Sequence, residues 1–202
     1  MARRPPASIA PRALRLFVAL WPTAAVRHAL VERRDAIGWP PGAGVVDDQR
    51  LHLTLHFIGN VPQALWPHLL PALRVPLQPI ELELDDARQW PHGLVVLPTA
   101  APSAPLLALQ RALGSALSTL GLPVEQREFR PHVTLARGAA GAVLPGHAPP
   151  LRWRPGGYAL VNSDPVAGYR VLARYGERGI TLAAVPRTAT ARSQPTPTPK
   201  PR

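Results

Sequence analysis

The chain contains the pattern His-x-Thr-Leu twice, at residues 52–55 and 132–135. Successive side chains of a β-strand point to opposite faces of a sheet, so each copy predicts a strand with histidine and threonine on one face and apolar residues on the other. The alternation continues past the first copy and predicts that His56 shares the face of His52, while Phe57 shares the apolar face. The fold must therefore hold two strands that each bury one face and keep a polar face free.

The two polar faces carry side chains that bind anions and transfer protons. Imidazole has an ordinary pKa of ~6.5, so one ring can be neutral while another is protonated near neutral pH. One ring can then take a proton from water while the other gives a proton to a leaving oxygen, and the hydroxyls of Thr54 and Thr134 can donate to a charged phosphoryl group. We predict that the two strands meet and that His52 and His132 form a catalytic pair able to open a cyclic phosphodiester.

The composition limits the other classes of protein. A chain of 202 residues fits one domain or one compact two-lobed unit. The formal net charge of +11 lies largely in the ends, because residues 1–12 and 186–202 hold seven of the 23 basic residues and no acid. Subtracting these seven leaves 16 basic against 12 acidic residues, a mildly basic body that fits an anionic substrate. The absence of cysteine excludes disulfides, thiolate nucleophiles and cysteine-based zinc sites.

The two ends differ in pattern from the body. The first 25 residues combine arginines, a short apolar run and small residues, as signal peptides do, but the run at 14–21 carries Arg15 and is better explained as a first strand. We predict a flexible extension over residues 1–12 and a disordered tail over residues 186–202, which is rich in proline and threonine. No segment reaches the ~20 apolar residues of a membrane span, and we predict a cytoplasmic protein.

Between the ends, strand-like and helix-like patterns alternate, which predicts an α+β fold. Strands are predicted over residues 14–20, 50–58, 80–84, 94–97, 131–136, 158–162 and 169–174, and helices over residues 23–37, 63–73 and 103–120. The segments VALWPTAA at 18–25 and VVLPTAA at 95–101 each precede a predicted helix and then a His-x-Thr strand. This echo predicts a duplicated strand–helix–strand unit, with the two motif strands at equivalent positions about a pseudo-twofold axis.

Several blocks together resemble the 2H phosphoesterase superfamily, most closely its LigT-like RNA 2′,3′-cyclic phosphodiesterases. The resemblance covers roughly residues 13–178 and is carried by RLFVALWPTAAVRHAL, RLHLTLHFIGNVP, ALQRALGSALSTLGLP, FRPHVTLAR, YALVNSDP and YRVLARY. It implies a bilobed α+β fold over residues 13–185, in which two antiparallel sheets line a central cleft and the helices lie outside.

The resemblance also implies an activity and roles for residues. The activity is hydrolysis of a 2′,3′-cyclic phosphate, at an RNA end or in a cyclic nucleotide, to a 2′-phosphomonoester without metal or other cofactor. His52 would be the proton donor and His132 the proton acceptor, while Thr54, Thr134 and Arg130 would contact the phosphate. We expect a monomer that needs no protein partner and does not bind a membrane.

Other interpretations stay open at this stage. The substrate could be a 2′,5′-linked oligonucleotide or an ADP-ribose cyclic phosphate, the reaction could run backwards as 2′,5′ ligation, or the cleft could bind RNA ends without catalysis. The residues alone do not say which histidine is the acid. His52, His56 and His132 could hold zinc, although we favour a position at the rim for His56. Arg130 could equally form a surface salt bridge, and Arg137 is expected to form one. No tryptophan is singled out for stacking on a base.

Overall fold

The computed structural model describes residues 13–176 and 179–182, so the predicted terminal segments 1–12 and 186–202 lie outside the described residues. The strands and helices are, in chain order, β1 (Ala13–Leu20), α1 (Ala24–Asp35), β2 (Gly44–Val45), β3 (Leu53–Pro62), α2 (Trp66–Ala72), β4 (Leu82–Leu84), β5 (Arg88–Trp90), β6 (Leu94–Pro98), α3 (Ala104–Thr119), β7 (His132–Arg137), β8 (Leu151–Trp153), β9 (Gly157–Asp164), β10 (Gly168–Gly176) and β11 (Gly179–Leu182).

Antiparallel pairing organises the strands into one large sheet and one small sheet. The large sheet has the order β11-β10-β9-β1-β3-β7-β6-β5, with β2 paired to β7, and the small sheet pairs β4 with β8. The predicted α+β class with antiparallel sheets is confirmed. Within the large sheet, β3 and β7 are paired at one position, Leu53 with Val133. The two groups of strands on either side of this pair therefore meet where the two sequence motifs lie.

The helices begin and end where the sequence provides the signals. The Thr23 hydroxyl accepts a hydrogen bond from the Val26 amide at 3.4 Å and caps α1. Helix α3 begins after Ser103 and ends before Gly121, whose φ of 70° requires glycine's conformational freedom. Its buried residues recur at helical spacing and face the core, namely Leu106, Leu109, Leu113 and Leu117. None of the helices in the described residues is long and apolar enough to cross a membrane.

Strand β1 lies in the interior of the large sheet, between β3 and β9. Residues 16–20 are all buried, which explains why this short run is strongly apolar. Leu16, Val18 and Leu20 belong to the main core, whereas Phe17 and Ala19 belong to a small apolar cluster on the opposite face of the sheet. The prediction of a first strand at this position is confirmed.

The two motif strands each contain a β-bulge at the leucine of the motif. In β3, Thr54 is opposite Ala19 and His56 is opposite Val18, so Leu55 is the extra residue. In β7, Thr134 is opposite Val96 and Ala136 is opposite Val95, so Leu135 is the extra residue. A bulge of one residue shifts the alternation, so that the leucine and the residue after it both face the core.

The first bulge overturns the prediction for His56 and Phe57. His56 is buried with 3% exposure and its Nε2 lies 2.7 Å from the Gln110 carbonyl oxygen of α3, so it lies under a helix and not at the rim of a cleft. Phe57 stands opposite Phe17 across β1 and is 48% exposed on the face that carries His52. Strict alternation failed here because the sequence contains no signal for the extra residue.

The strand–helix–strand units predicted from the internal echo appear in the expected order. The first is β1-α1-β3 and the second is β6-α3-β7, and within each unit the two strands pair antiparallel. The two last strands are the neighbours that share the Leu53–Val133 pair. A duplicated, two-lobed architecture stays a prediction. The order of strands and helices along the chain is consistent with it.

Candidate active site

The single residue pair between β3 and β7 brings the two motifs together. Leu53 and Val133 lie between the histidine and the threonine of their motifs, and they are paired opposite each other. In an antiparallel register, one step to either side puts His52 beside Thr134 and Thr54 beside His132. All four polar side chains are half-buried, whereas Leu53 and Val133 are fully buried on the other face. The site is thus formed by two short segments that are far apart in sequence.

Both histidine rings are held by the same local hydrogen bond. The Nδ1 atom of His52 lies 2.6 Å from the Arg50 carbonyl oxygen, and Nδ1 of His132 lies 2.6 Å from the Arg130 carbonyl oxygen. A carbonyl oxygen can only accept, so each Nδ1 carries the proton and donates it. Each Nε2 is therefore the nitrogen that is free to gain or lose a proton.

Three aromatic rings surround His52. Trp21 stacks on it with ring centroids 5.6 Å apart, Phe17 lies at 4.9 Å, and the edge-on ring of Tyr169 lies at 5.5 Å. The Arg50 guanidinium covers the Tyr169 ring at 4.4 Å. This arrangement excludes water from most of the imidazole and fixes its plane.

Fewer aromatic rings surround His132 than surround His52. Trp90 is its one aromatic neighbour within the part of the chain that the structure describes, at 4.7 Å and tilted by 60°. The two residues that precede His132 in sequence, Arg130 and Pro131, lead into β7 from a loop.

Burial lowers the pKa of both histidines. For His52 it lowers the pKa to about 4, against the opposing effect of the hydrogen bond to the Arg50 carbonyl, and the charges of Arg137, His132 and Arg50 lower it further. Burial and then the charge of Arg137 lower the pKa of His132. Without a bound anion, both rings are accordingly neutral at pH 7.

The hydroxyl groups of the site differ in their present partners. Thr54 Oγ1 lies 3.1 Å from Nε2 of His52, where a neutral ring accepts the hydroxyl proton. Thr134 is half-buried on the same face of the sheet. The Arg130 guanidinium is exposed and its Nε lies 3.2 Å from Glu128 Oε2, so in this state its side chain is directed to a surface acid.

Arg137 is a site residue that the sequence interpretation assigned elsewhere. The bulge at Leu135 leaves Ala136 buried, and Arg137 therefore returns to the face of His132 and Thr134. Its charge lowers the pKa of both histidines. The predicted surface salt bridge is not among the ion pairs of the described residues, so Arg137 leaves a positive charge near both rings.

The zinc site considered from the sequence is not assembled. His56 lies on the opposite face of β3 from His52 because of the bulge. Within residues 13–176 and 179–182, no three histidine or acidic side chains are grouped so that they could hold a metal ion.

The sequence interpretation missed the aromatic residues and Arg50. The five tryptophans could not be ranked, yet Trp21 and Trp90 each contact one of the two histidines. A usable signal was present for Arg50, because the repeated pattern is longer than four residues and runs Arg-x-His-x-Thr-Leu in both copies. Nothing comparable in the sequence indicates Phe17 or Tyr169, which come from strands that are distant along the chain.

Comparisons with known proteins identify the family of this chain. Residues 22–164, which include both motifs, match the model of the 2′-5′ RNA ligase superfamily. A protein of Escherichia coli named RNA 2′,3′-cyclic phosphodiesterase is 39% identical over 132 residues, covering 64% of this chain and 74% of that protein. A protein of Thermus thermophilus with the same name is 32% identical over 193 residues, covering 82% and 91%.

The fold is shared as well. The crystal structure of Escherichia coli LigT complexed with 3′-AMP matches with a TM-score of 0.73 and 31% identity, covering 82% of this chain and 98% of that chain. Both motifs, the strands that carry them and most of the chain's length fall within these matches, and the chain therefore belongs to the 2′-5′ RNA ligase superfamily of 2H phosphoesterases.

Proposed function

We propose that this protein hydrolyses the 2′,3′-cyclic phosphate at an RNA end, or in a cyclic nucleotide, to a 2′-phosphomonoester. His52 and His132 are the acid and base, and no metal takes part. The observation that carries the proposal is the shared geometry of the two rings, each held through Nδ1 so that Nε2 can exchange a proton, at the one residue pair that joins β3 and β7. The names of the Escherichia coli and Thermus thermophilus relatives support the same reaction. We further propose a cytoplasmic monomer.

The reaction needs one proton removed and one proton supplied. Water attacks the phosphorus in line with the bond to the 3′ oxygen, and the base ring takes the water proton at Nε2. The P–O3′ bond breaks, and the acid ring gives its Nε2 proton to the 3′ oxygen. One water is consumed, and the product carries a 2′-phosphomonoester and a free 3′-hydroxyl. Exchange with solvent then returns the two rings to their starting states.

Hydroxyl and guanidinium groups would hold the phosphoryl oxygens. Thr54 and Thr134 stand on the same face as the rings and donate to an anion when one is bound. Thr54 then exchanges its bond to Nε2 of His52 for one to the substrate. Arg130 steadies the phosphate by leaving Glu128, because an exposed ion pair of this kind contributes little stability.

The direction of proton transfer is a separate part of the proposal. We assign the donor role to His52 and the acceptor role to His132, as family resemblance implies. Burial lowers the pKa of His52 to about 4 in the unliganded site, which disfavours a protonated His52 there and so opposes the donor role. A bound phosphate anion favours a protonated ring beside it and raises its pKa, so the substrate can offset this effect.

The reaction is tested with adenosine 2′,3′-cyclic phosphate in the presence of a chelator. We expect adenosine 2′-phosphate as the product, separated from the 3′ isomer by chromatography. The 3′ isomer, or activity that is lost with chelation and restored by a divalent metal, would contradict the proposal. Parallel incubations with a 2′,5′-linked dinucleotide and with ADP-ribose 1″,2″-cyclic phosphate test the alternative substrates. Tight binding of a cyclic-phosphate RNA without hydrolysis would instead support a binding module.

The assignment of acid and base is tested by replacing the 3′ oxygen of the cyclic substrate with sulfur. A thiolate leaves without a proton, because thiols are far more acidic than alcohols. The variant that lacks the acid is then rescued and the variant that lacks the base is not. We expect His52→Ala to recover most of its lost rate on this substrate and His132→Ala to stay slow. The reverse result would exchange the two roles.

A further inference from the structure

A cavity of about 370 Å³ is lined in part by Trp21, one of the aromatic rings that surround His52. The Trp21 ring also stacks on the His52 imidazole, at 5.6 Å between ring centroids. Strands β10 and β11 contribute Arg174 and Thr181 to the lining, and Thr23 contributes from the start of α1. The cavity and the His52 ring therefore share Trp21 as a common neighbour.

Arg174 faces the same side of the sheet as the catalytic threonine. It stands opposite Ala159, which stands opposite Ala19, which stands opposite Thr54. Residues directly opposite one another in antiparallel strands share a face, so this row crosses four strands from Arg174 to Thr54. Three strand spacings of ~4.8 Å amount to roughly 14 Å, part of which the long arginine side chain covers. The intervening alanines, Ala19 and Ala159, are fully buried in the small apolar cluster against which Trp21 packs, so a ligand that spans this row lies over the apolar cluster.

A second arginine approaches the same place from α1. The Arg27 guanidinium lies 5.7 Å from the Trp21 ring and donates to the Asp48 carbonyl oxygen at 2.6 Å. Burial and the charge of Arg174 both lower the pKa of Arg27, so the two guanidinium groups repel each other. Neither forms an ion pair with a carboxylate of the described residues. Arg174 lines the cavity, whereas Arg27 lies against Trp21 outside the lining. The charges of Asp48 and Asp47 oppose the lowering of the Arg27 pKa. An arginine that lines a cavity and forms no ion pair with a carboxylate of the described residues indicates a position where an anion is favoured.

We propose that this cavity, with Arg174 in its lining, is a second anion subsite that binds the phosphodiester on the 5′ side of the terminal nucleotide. The inference rests on the proposed function, since it assumes that the reacting phosphate lies between His52 and His132. An RNA strand that ends in the site continues away from it with one phosphate per nucleotide, and it would cross the apolar cluster that contains Ala19 and Ala159 to reach Arg174 on the same face of the sheet. The subsite makes an oligonucleotide end a better substrate than a cyclic mononucleotide.

The test compares two substrates that differ by one nucleotide. These are adenosine 2′,3′-cyclic phosphate and the dinucleotide ApA with the same cyclic end. A hydrogen-bonded charge pair contributes enough for a gain of about tenfold or more, so we expect the dinucleotide to have at least that advantage in kcat/KM. Arg174→Gln should bring this ratio close to one. Arg170→Gln is the matched control, because Arg170 lies four residues earlier on β10, beside Tyr169 but on the other face, and should keep the ratio.

Each outcome decides the proposal. A ratio near one in the wild-type protein, or a high ratio that Arg174→Gln leaves intact, would overturn the subsite. A 5′-phosphorylated mononucleotide that shares the gain, and loses it in Arg174→Gln, would support an anion site that accepts a monoester as well. If no cyclic substrate is cleaved, the proposed reaction is wrong, and calorimetry still tests the subsite. Adenosine 3′,5′-bisphosphate should then bind more tightly than 3′-AMP to the wild-type protein and no more tightly to Arg174→Gln.

Discussion

The two motif strands share their backbone design and differ in what surrounds it. In both, a carbonyl two residues before the histidine fixes Nδ1, and a bulge at the leucine turns the next residue into the core. Three aromatic rings surround His52, whereas His132 has one such neighbour among the described residues. The second residue after the bulged leucine also differs between the strands. It is Phe57 in β3 and Arg137 in β7.

This difference separates two properties that a repeated motif could be expected to fix together. The motif determines which ring nitrogen is available, because that depends on a local hydrogen bond. The surroundings determine how easily the ring is protonated, because that depends on access of water and on nearby charge. Two copies of one motif can therefore supply two unequal rings, which an acid–base pair requires.

The largest expected effect is the loss of either ring. His52→Ala and His132→Ala should each reduce kcat by about 10²- to 10⁴-fold, because each removes one proton transfer. The double variant should lose much less than the product of the two, since the rings act as a unit. Steady-state kinetics with a cyclic nucleotide measures this. His28→Ala, which changes an exposed histidine of α1, is the control for a change of histidine content. Activity close to wild type in either single variant would refute the pair.

The threonines should have the next largest effect, and an unequal one. Thr54→Val and Thr134→Val each remove one hydroxyl donor to a phosphate anion, a loss of about 10- to 100-fold in kcat/KM. Thr54→Val also frees Nε2 of His52, to which the hydroxyl is now bonded, so it should shift the pH profile. Thr134→Val should lower kcat/KM at every pH and leave the pH optimum unchanged. Equal shifts in the two variants would mean that the hydroxyls have the same role despite their different partners.

Much of this architecture could be predicted from the sequence, because it depends on local patterns. Periodicity and caps gave the positions of β1, α1, α3 and β7 to within a few residues. The strands β2, β5, β8 and β11 were not predicted; each has four residues or fewer, a length at which alternation carries little signal. The predicted orientation of His56 was wrong for a different reason. A bulge is decided by how a strand fits its neighbour, and neither strand alone records it.

The candidate site shows the same division between local and distant information. His52, Thr54, His132 and Thr134 were found because they repeat a pattern, and the face that they share follows from strand geometry. The aromatic rings around His52 come from β1, the turn that follows β1, and β10, and only folding brings them together. Single-sequence reasoning therefore located the candidate reactive groups, which the structure brings side by side, and could not predict their pKa values.

The pH dependence of the unliganded enzyme follows from these pKa values. The pKa of each histidine lies below its ordinary value of ~6.5, so the singly protonated pair exists mainly below that pH. We expect kcat/KM, which reports the free enzyme, to peak on the acid side of pH 6.5. The optimum for kcat should lie at higher pH, because the bound phosphate raises the pKa of the rings. Initial rates between pH 4 and 9 measure both profiles. A kcat/KM optimum above pH 7.5 would show that the rings are not desolvated as described.

Removing an aromatic neighbour from each ring tests whether the surroundings cause the difference. Trp21→Ala opens one face of His52 to water, and its pKa should rise from about 4 toward 6.5. Trp90→Ala should raise the pKa of His132 and leave that of His52 in place. Titration of the imidazole signals by NMR follows each ring separately. If Trp21→Ala leaves the pKa of His52 near 4, burial by Trp21 is not what lowers it.

The smallest expected effect concerns Arg137, whose charge reaches both halves of the site. A positive charge disfavours a second positive charge nearby, so Arg137→Gln should raise the pKa of His52 and of His132 together. The matched change Arg130→Gln should leave both pKa values in place, because that guanidinium is exposed and engaged with Glu128. The same NMR titration, made without substrate at low and at high salt, measures the shift. High salt should reduce the effect of Arg137→Gln, since the shift is electrostatic and Arg137 is exposed to solvent. A shift confined to His132 would mean that Arg137 belongs to the second motif alone, and that the two rings are less closely coupled than their shared residue pair implies.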